Sequence, residues 1–399
     1  MSAILYELPS AWLQYDRMDT LNELIEAKVA LTSLTSIPYE RNWVEKLQEF
    51  QLKMEVAGTS RIEGADFTDN ELDAALQVEA KREDLLTRSQ RQAHAAVNTY
   101  RWISALPQDR PIDARLVKEI HSRIVRGCDD DRCSPGVLRK GDENVTFGSP
   151  RHRGCEGGDE CERAFERLMG AVSREFHAHD PLIQALALHY HLAAMHPFLD
   201  GNGRTARAVE ALVLQRVGLR DTAFIAMSNY YYDEKPRYLQ CLALVRANNH
   251  DLTPFLKFGL LGIALQCQRL AAEIRKHIAK ALFRNLMYDL FNRLPNKRSR
   301  VIRDRQLEIL KILLDVDQIE LSQLIRRIQP RYAKVANFAK ALLRDLAGLE
   351  NLNAIRIESL AENRWKVFAR LEWPSEITES EFFIKIRQMP KGRTYRFLQ

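Results

Sequence analysis

His196-Pro197-Phe198-Leu199-Asp200-Gly201-Asn202-Gly203-Arg204-Thr205-Ala206-Arg207 is the stretch on which this 399-residue chain turns. It places an imidazole, a carboxylate, two glycines and two arginines within twelve residues. The apolar run from Leu182 to Met195 predicts a helix that delivers His196, and Pro197 ends it. Asp200 to Gly203 then turn the chain into a second helix whose first amides are free. Free amides and the helix dipole together bind anions. Gly201 and Gly203 let the backbone approach a phosphate, Asp200 and Asn202 suit turn and cap positions, and Arg204 and Arg207 share a face from which guanidinium forks can clamp phosphate oxygens. Asp200 is a hard oxygen ligand for Mg2+, and His196 carries an imidazole that ordinarily titrates near neutrality, as suits a general base. The pattern predicts a nucleotide phosphate site; the plainer alternative is a glycine-rich turn with a structural histidine. A P-loop and a Gly-x-Gly-x-x-Gly fingerprint both lack the strand-to-helix context here, and a calcium loop lacks its alternating acidic ligands.

The same twelve residues match the signature HPFxDGNGRxxR at every specified position, so the chain resembles the Fic-domain nucleotidyltransferases, which move AMP from ATP to a protein hydroxyl. The resemblance implies His196 as the base for a Ser, Thr or Tyr hydroxyl and Asp200 as the Mg2+ ligand. The amides around Gly201, Asn202 and Gly203 become the anion hole, Arg204 contacts the inner phosphates and Arg207 the γ-phosphate.

Upstream, Thr59-Ser60-Arg61-Ile62-Glu63-Gly64 resembles the inhibitory helix of the Fic subclass that carries [S/T]xxxE[G/N]. Thr59 and Glu63 share a helix face. The resemblance implies that Glu63 pairs with Arg207 where the γ-phosphate would be oriented, restraining the enzyme. A solvated last helical turn is the alternative reading. The same carboxylate also fits a reverse chemistry, in which it positions water to remove AMP from a modified protein, and the sequence does not separate the two.

Between these motifs, Pro135-Gly136-Val137-Leu138-Arg139-Lys140 and then Asn144, Val145, Thr146 and Phe147 before Gly148 resemble the family's PGxxR segment and its β-hairpin flap, which pairs with target backbone. Tyr231 and Tyr238 are candidates for a nucleobase platform, while Tyr230 and Tyr232 are read as packing. Where many members carry Phe-Glu ahead of the signature, this chain has Leu192-Ala193. His189 and His191 read as core residues. Cys128, Cys133, Cys155 and Cys161 cluster loosely; their spacings miss the usual zinc patterns, and free thiols are favoured over zinc. Cys241 and Cys267 read as buried apolar residues within helices.

A composition of 46% hydrophobic and 28% charged residues is ordinary for a globular protein, and a net charge of +6 is too mild to demand a nucleic-acid partner. The low cysteine count, the lack of a leader pattern over Met1 to Arg17 and the shortness of the most apolar later run, Phe258 to Leu265, make the cytoplasm the expected compartment, with no membrane partner. Helical periodicity covers Leu21 to Leu31, Trp43 to Val56, Asp69 to Leu86 and Arg88 to Ile103, and no internal repeat is visible. A long helix runs from Thr253-Pro254 to about Arg293, and residues 294–300 read as a basic linker. Beyond it, Gln306 to Leu314, Leu321 to Ile328 and Val335 to Leu346 predict three helices. Ala354 to Ile357 and Trp365 to Ala369 predict paired strands turning at Glu362-Asn363, so residues 301–372 resemble a winged helix. Lys334, Lys340 and Arg344 there could meet DNA phosphates.

The expected fold is all-α: a Fic helical bundle with a small β-hairpin flap, plus a C-terminal winged-helix domain. The expected layout is an N-terminal helical region (1–106), a catalytic domain (107–293), a winged-helix-like domain (294–373) and a tail (374–399). The expected function is a protein adenylyltransferase that uses Mg2+ and ATP on a target protein or on itself, restrained by Glu63. The rivals are AMP removal and a winged-helix DNA-binding regulator with a nucleotide-sensing, self-modifying Fic domain. The target, the nucleobase preference and the oligomeric state, including a homodimer, stay open.

Overall fold

Sequence periodicity becomes helix along most of the chain. The computed structural model describes residues 4–38, 41–65, 68, 70, 72–73, 87–148, 151–217, 225–294, 297–361 and 364–387. The chain divides into two units, residues 1–272 and 273–399.

In the first unit the helices are α1 (Leu21–Thr35), α2 (Arg41–Ile62), α3 (Arg88–Ser104) and α4 (Ala114–Val125). A two-residue hairpin follows, β1 (Thr146–Phe147) against β2 (His152–Arg153). Then come α5 (Asp159–Arg174), α6 (Pro181–Met195), α7 (Asn202–Arg216), α8 (Met227–Asp233), α9 (Lys235–Ala247) and the forty-residue α10 (Thr253–Asn292), within which the division between units falls.

Local chemistry sets several boundaries. Asp180 caps α6 by accepting from the Leu182 amide at 3.0 Å, and Thr87 and Gln90 form a reciprocal capping box at the start of α3. From Leu182 to Met195 nearly every α6 residue is buried, as expected of a helix that is apolar all round and packed at the centre of its bundle. Its principal neighbour is α7.

The second unit holds α11 (Lys297–Val316), β3 (Gln318–Glu320), α12 (Leu321–Ile328), α13 (Phe338–Asn351), β4 (Ile355–Ala361), β5 (Arg364–Ala369) and the short α14 (Trp373–Glu376) and α15 (Glu379–Arg387). Its antiparallel sheet has the order β3-β5-β4. Phe283, Leu310, Leu324, Leu346, Val367 and Trp373 lie in its core. Asp345 is fully buried and accepts from Arg305 Nε at 2.6 Å and the Tyr332 hydroxyl at 2.8 Å.

Two expectations change. Helix α11 begins at Lys297, so most of the stretch read as a basic linker is its first turn. Strand β3, only three residues long, gave no sequence signal. The expected helix over 69–86 and the turn at 362–363 fall mostly or wholly outside the described residues. Among the described residues no helix is long and apolar enough to cross a membrane.

Candidate active site

Helix α6 ends by placing His196 in a left-handed conformation (φ 51°, ψ 60°), because Pro197 cannot continue the helix. The His196 amide still bonds to the Leu192 carbonyl at 3.1 Å, while its ring Nδ1 lies 2.6 Å from the Ala193 carbonyl oxygen. A carbonyl only accepts, so Nδ1 carries the proton and Nε2 keeps its lone pair. Burial, with Arg246 and Arg139 nearby, pushes the His196 pKa down to about 4, in contrast to the near-neutral titration expected of a free imidazole. The ring is therefore a neutral base at physiological pH, stacked on Phe147 of the hairpin with centroids 3.7 Å apart.

Gly201 opens α7 at φ 74°, and an added Cβ there would stand 2.6 Å from Val125 Cγ1. The Asn202 side chain closes the turn by accepting from the Phe198 amide at 2.9 Å and donating to the Phe198 carbonyl at 2.7 Å. His121 accepts from the Gly136 amide through Nδ1 at 2.9 Å and donates through Nε2 to the Asp200 carbonyl at 3.0 Å. These contacts fix the loop backbone before any ligand arrives.

The two arginines of the motif diverge. Arg207, 2% exposed, donates through Nε to Thr59 Oγ1 at 2.8 Å and through Nη2 to Glu63 Oε1 at 2.6 Å. Desolvation at the cavity wall would by itself raise the Glu63 carboxyl, but the Arg207 charge outweighs it and holds the pKa below the usual range. Arg204 turns to Asp129, bonding at 2.7 Å, and reaches Asp200 only at 3.5 Å. Asp129 is fully buried and also accepts from Arg88 and Gln92; against the cost of burial, these partners bring its pKa down to about 2. A shared two-arginine clamp is thus not the arrangement present.

A cavity of about 370 Å³ gathers Glu63, Val145, Phe147, His196, Asp200, Gly201, Asn202, Gly203, Arg207 and Tyr238 on its wall. Thr59 reaches the site through Arg207; Asn144 is exposed just before the hairpin and Thr146 is exposed on its first strand. Tyr231 is instead buried behind the wall. It donates to Glu210, which also bonds His189, and His189 in turn bonds the Tyr238 hydroxyl at 2.9 Å. Tyr230 is buried, as a packing role requires, whereas Tyr232 is exposed. The six cysteines are free and buried, and among the described residues no group of three or more His, Cys, Asp or Glu could hold a metal.

The Asp200 carboxylate is of the hard oxygen type that would suit Mg2+. Its Oδ1 accepts from the Gly201 amide at 2.6 Å, Oδ2 lies 3.9 Å from Arg132, and the carboxylate is on the cavity wall. One carboxylate with phosphate oxygens is the usual protein share of such a site.

Sequence reasoning gave no role to three cations around this cavity. Arg139 donates to the carbonyls of His196 (2.7 Å), Glu143 (2.6 Å) and Cys155, fastening the roots of the hairpin to the base. Lys235 bonds the Ile62 carbonyl at 2.8 Å, and Arg246 lies 4.7 Å from the Phe147 ring centroid. Arg139 stood within the quoted PGxxR segment. Nothing in the local sequence marks Lys235 or Arg246 for such a place.

Residues 111–214 match the model of the Fic/DOC family. That match locates a Fic domain over residues 111–214. The chain is similar to the protein adenylyltransferase Fic of Nematostella vectensis (37% identity over 78 residues, 20% of this chain and 16% of that protein) and to fic-1 of Caenorhabditis briggsae (36% over 81 residues, 20% and 14%). The chain thus spans about a sixth or less of these relatives. A crystal structure of a Fic family protein from Desulfovibrio desulfuricans G20 superposes with a TM-score of 0.56 at 16% identity, covering 92% of this chain and 98% of that one. Residues 134–508 of Fic-1 from C. elegans give 0.53 at 18%, covering 65% and 73%. These likenesses establish the fold.

Proposed function

We propose that this Fic domain moves AMP from Mg-ATP to a Ser, Thr or Tyr hydroxyl of a target protein or of the chain itself. The observation that supports it most is the single cavity in which a neutral His196 with Nε2 unprotonated, the Gly201–Gly203 turn, Asp200 and the Glu63–Arg207 pair all meet. In the step, the target oxygen attacks the α-phosphorus and the bond to the β-phosphate oxygen breaks. The hydroxyl proton passes to His196 Nε2, and pyrophosphate leaves. Asp200 would hold Mg2+, which neutralises phosphate charge when bound. The loop amides stabilise phosphate oxygens, and Val145 and Phe147 border the place for the target segment.

Glu63 serves as the brake: its carboxylate occupies the guanidinium that an ATP γ-phosphate needs. Separate incubations with α-labelled and γ-labelled Mg-ATP test the reaction class. Label carried to protein from the α-phosphate alone supports the reading, and protein label from the γ-phosphate overturns it.

For the second unit, three helices and an antiparallel sheet favour a winged-helix-like module, and Lys334, Lys340 and Arg344 are exposed on it. Salt-dependent retention of duplex DNA in a gel would assign that face to nucleic acid; no binding at low salt would leave protein contact as its use.

A further inference from the structure

Glu55 lies on α2 eight residues before Glu63, which directly follows the helix's last residue, and midway between them is Thr59, the other partner of Arg207. Its side chain is 1% exposed, yet no arginine or lysine bonds it among the described residues. It instead accepts from the Tyr100 hydroxyl of α3 at 2.9 Å, from the Ser228 amide of α8 at 2.9 Å, and from the Ser228 hydroxyl. One turn along, Gly58 touches the α8 backbone so closely that a Cβ would stand 2.4 Å from the Ser228 carbonyl carbon and the Asn229 nitrogen. Helix α2 is therefore pinned in both rotation and depth immediately before its inhibitory end.

A buried carboxylate is costly to keep without a cationic partner, and burial pushes the Glu55 pKa up to about 7. A leucine or methionine would pack there more simply. The directional donors explain its use: they fix one rotation of α2, whereas an apolar contact would tolerate several. A small rotation of α2 would carry Thr59 and Glu63 off Arg207, because both sit on the same face as Glu55.

We infer that Glu55, seated on Ser228 and Tyr100 with Gly58 beside it, is the positioning residue that sets the inhibitory carboxylate of Glu63 on Arg207. The inference rests on the reading of Glu63 as a brake. Loss of the seat then raises AMP transfer, an effect that general destabilisation does not produce, since a loosened enzyme loses activity.

The test measures AMP incorporation by the full-length chain with Mg-ATP for wild type, Glu63→Gly, Glu55→Leu and Gly58→Ala, and for each of the last two combined with Glu63→Gly. Gly58→Ala acts without touching Glu55, so it answers if Glu55→Leu fails to fold. The expected result is a rise of at least severalfold for Glu63→Gly, a rise toward that level for Glu55→Leu and Gly58→Ala, and no further rise in either double variant. If Glu63→Gly rises while folded Glu55→Leu and Gly58→Ala stay at or below wild type, the positioning role is overturned and the brake stands. If Glu63→Gly does not rise, the brake falls and this inference with it.

Discussion

Glu63 and Arg207 are 144 residues apart in sequence, yet Glu63 Oε1 and Arg207 Nη2 stand 2.6 Å apart. The guanidinium is 2% exposed and the carboxylate side chain 39%, so the pair is asymmetric: the arginine cannot leave, and the glutamate can. A device that yields to a triphosphate needs that asymmetry. In the proposed function an incoming phosphate would replace one anion with another on a cation that would otherwise be buried and unpaired.

Removing the anion rather than the cation should therefore favour nucleotide. Glu63→Gln is expected to bind Mg-ATP several-fold more tightly than wild type, and Arg207→Ala more weakly. Calorimetric titration checks both. Equal affinity in wild type and Glu63→Gln would separate Glu63 from the nucleotide site.

His196 touches no phosphate partner in the proposed roles. His196→Ala is expected to lose AMP transfer by three orders of magnitude or more while keeping ATP affinity within about threefold. Parallel loss of both in a nucleotide-binding assay would contradict the division between base and anion hole.

Gly201 and Gly64 separate conformation from packing. Both have positive φ, but a Cβ at Gly201 meets Val125 at 2.6 Å, whereas at Gly64 it meets nothing within 4 Å among the described residues. Gly64→Ala is expected to cost about 1 kcal/mol, and Gly201→Ala about 2–4 kcal/mol because overpacking adds to backbone strain. Urea denaturation midpoints with unchanged slopes would show the difference.

Burial lowers the pKa of His121, His152 and His196 to about 4 and that of His191 to about 3. Such groups stay neutral in the folded chain while the unfolded chain binds protons, so their stabilising contribution is present above about pH 6.5 and is lost as pH falls toward 4. Glu55, raised to about 7, acts in the opposite sense: its contribution is present below about 4.5 and fades as pH rises through 7. Four groups against one predict a melting temperature that falls steadily from pH 6.5 to 4.5. A flat profile over that range would show that these rings are not held neutral.

Much of the candidate site was legible because its residues are contiguous: His196, the Asp200–Gly203 turn and Arg207 lie within twelve residues. Several helices followed from apolar spacing, while α4 and α5 drew no expectation and the helix expected over 69–86 lies mostly outside the described residues. What escaped depends on contacts between distant residues. Arg204 and Arg207 share a face by spacing, but Asp129, 75 residues from Arg204, draws that side chain away. Tyr231 and Tyr238 looked equivalent, yet only Tyr238 reaches the cavity because Glu210 holds the Tyr231 hydroxyl inside. Glu55 carries no signal in the sequence, since neither Tyr100 nor Ser228 is near it along the chain. Strand β3 is too short for alternation to register.

The central claim is a restrained AMP transferase, and the most direct measurement is the intact mass of wild type, Glu63→Gly, and Glu63→Gly combined with His196→Ala after incubation with Mg-ATP. The account predicts added AMP on Glu63→Gly, little or none on wild type, and none on Glu63→Gly once His196→Ala is combined with it. An adduct that forms equally in all variants, or one that persists without His196, would contradict it.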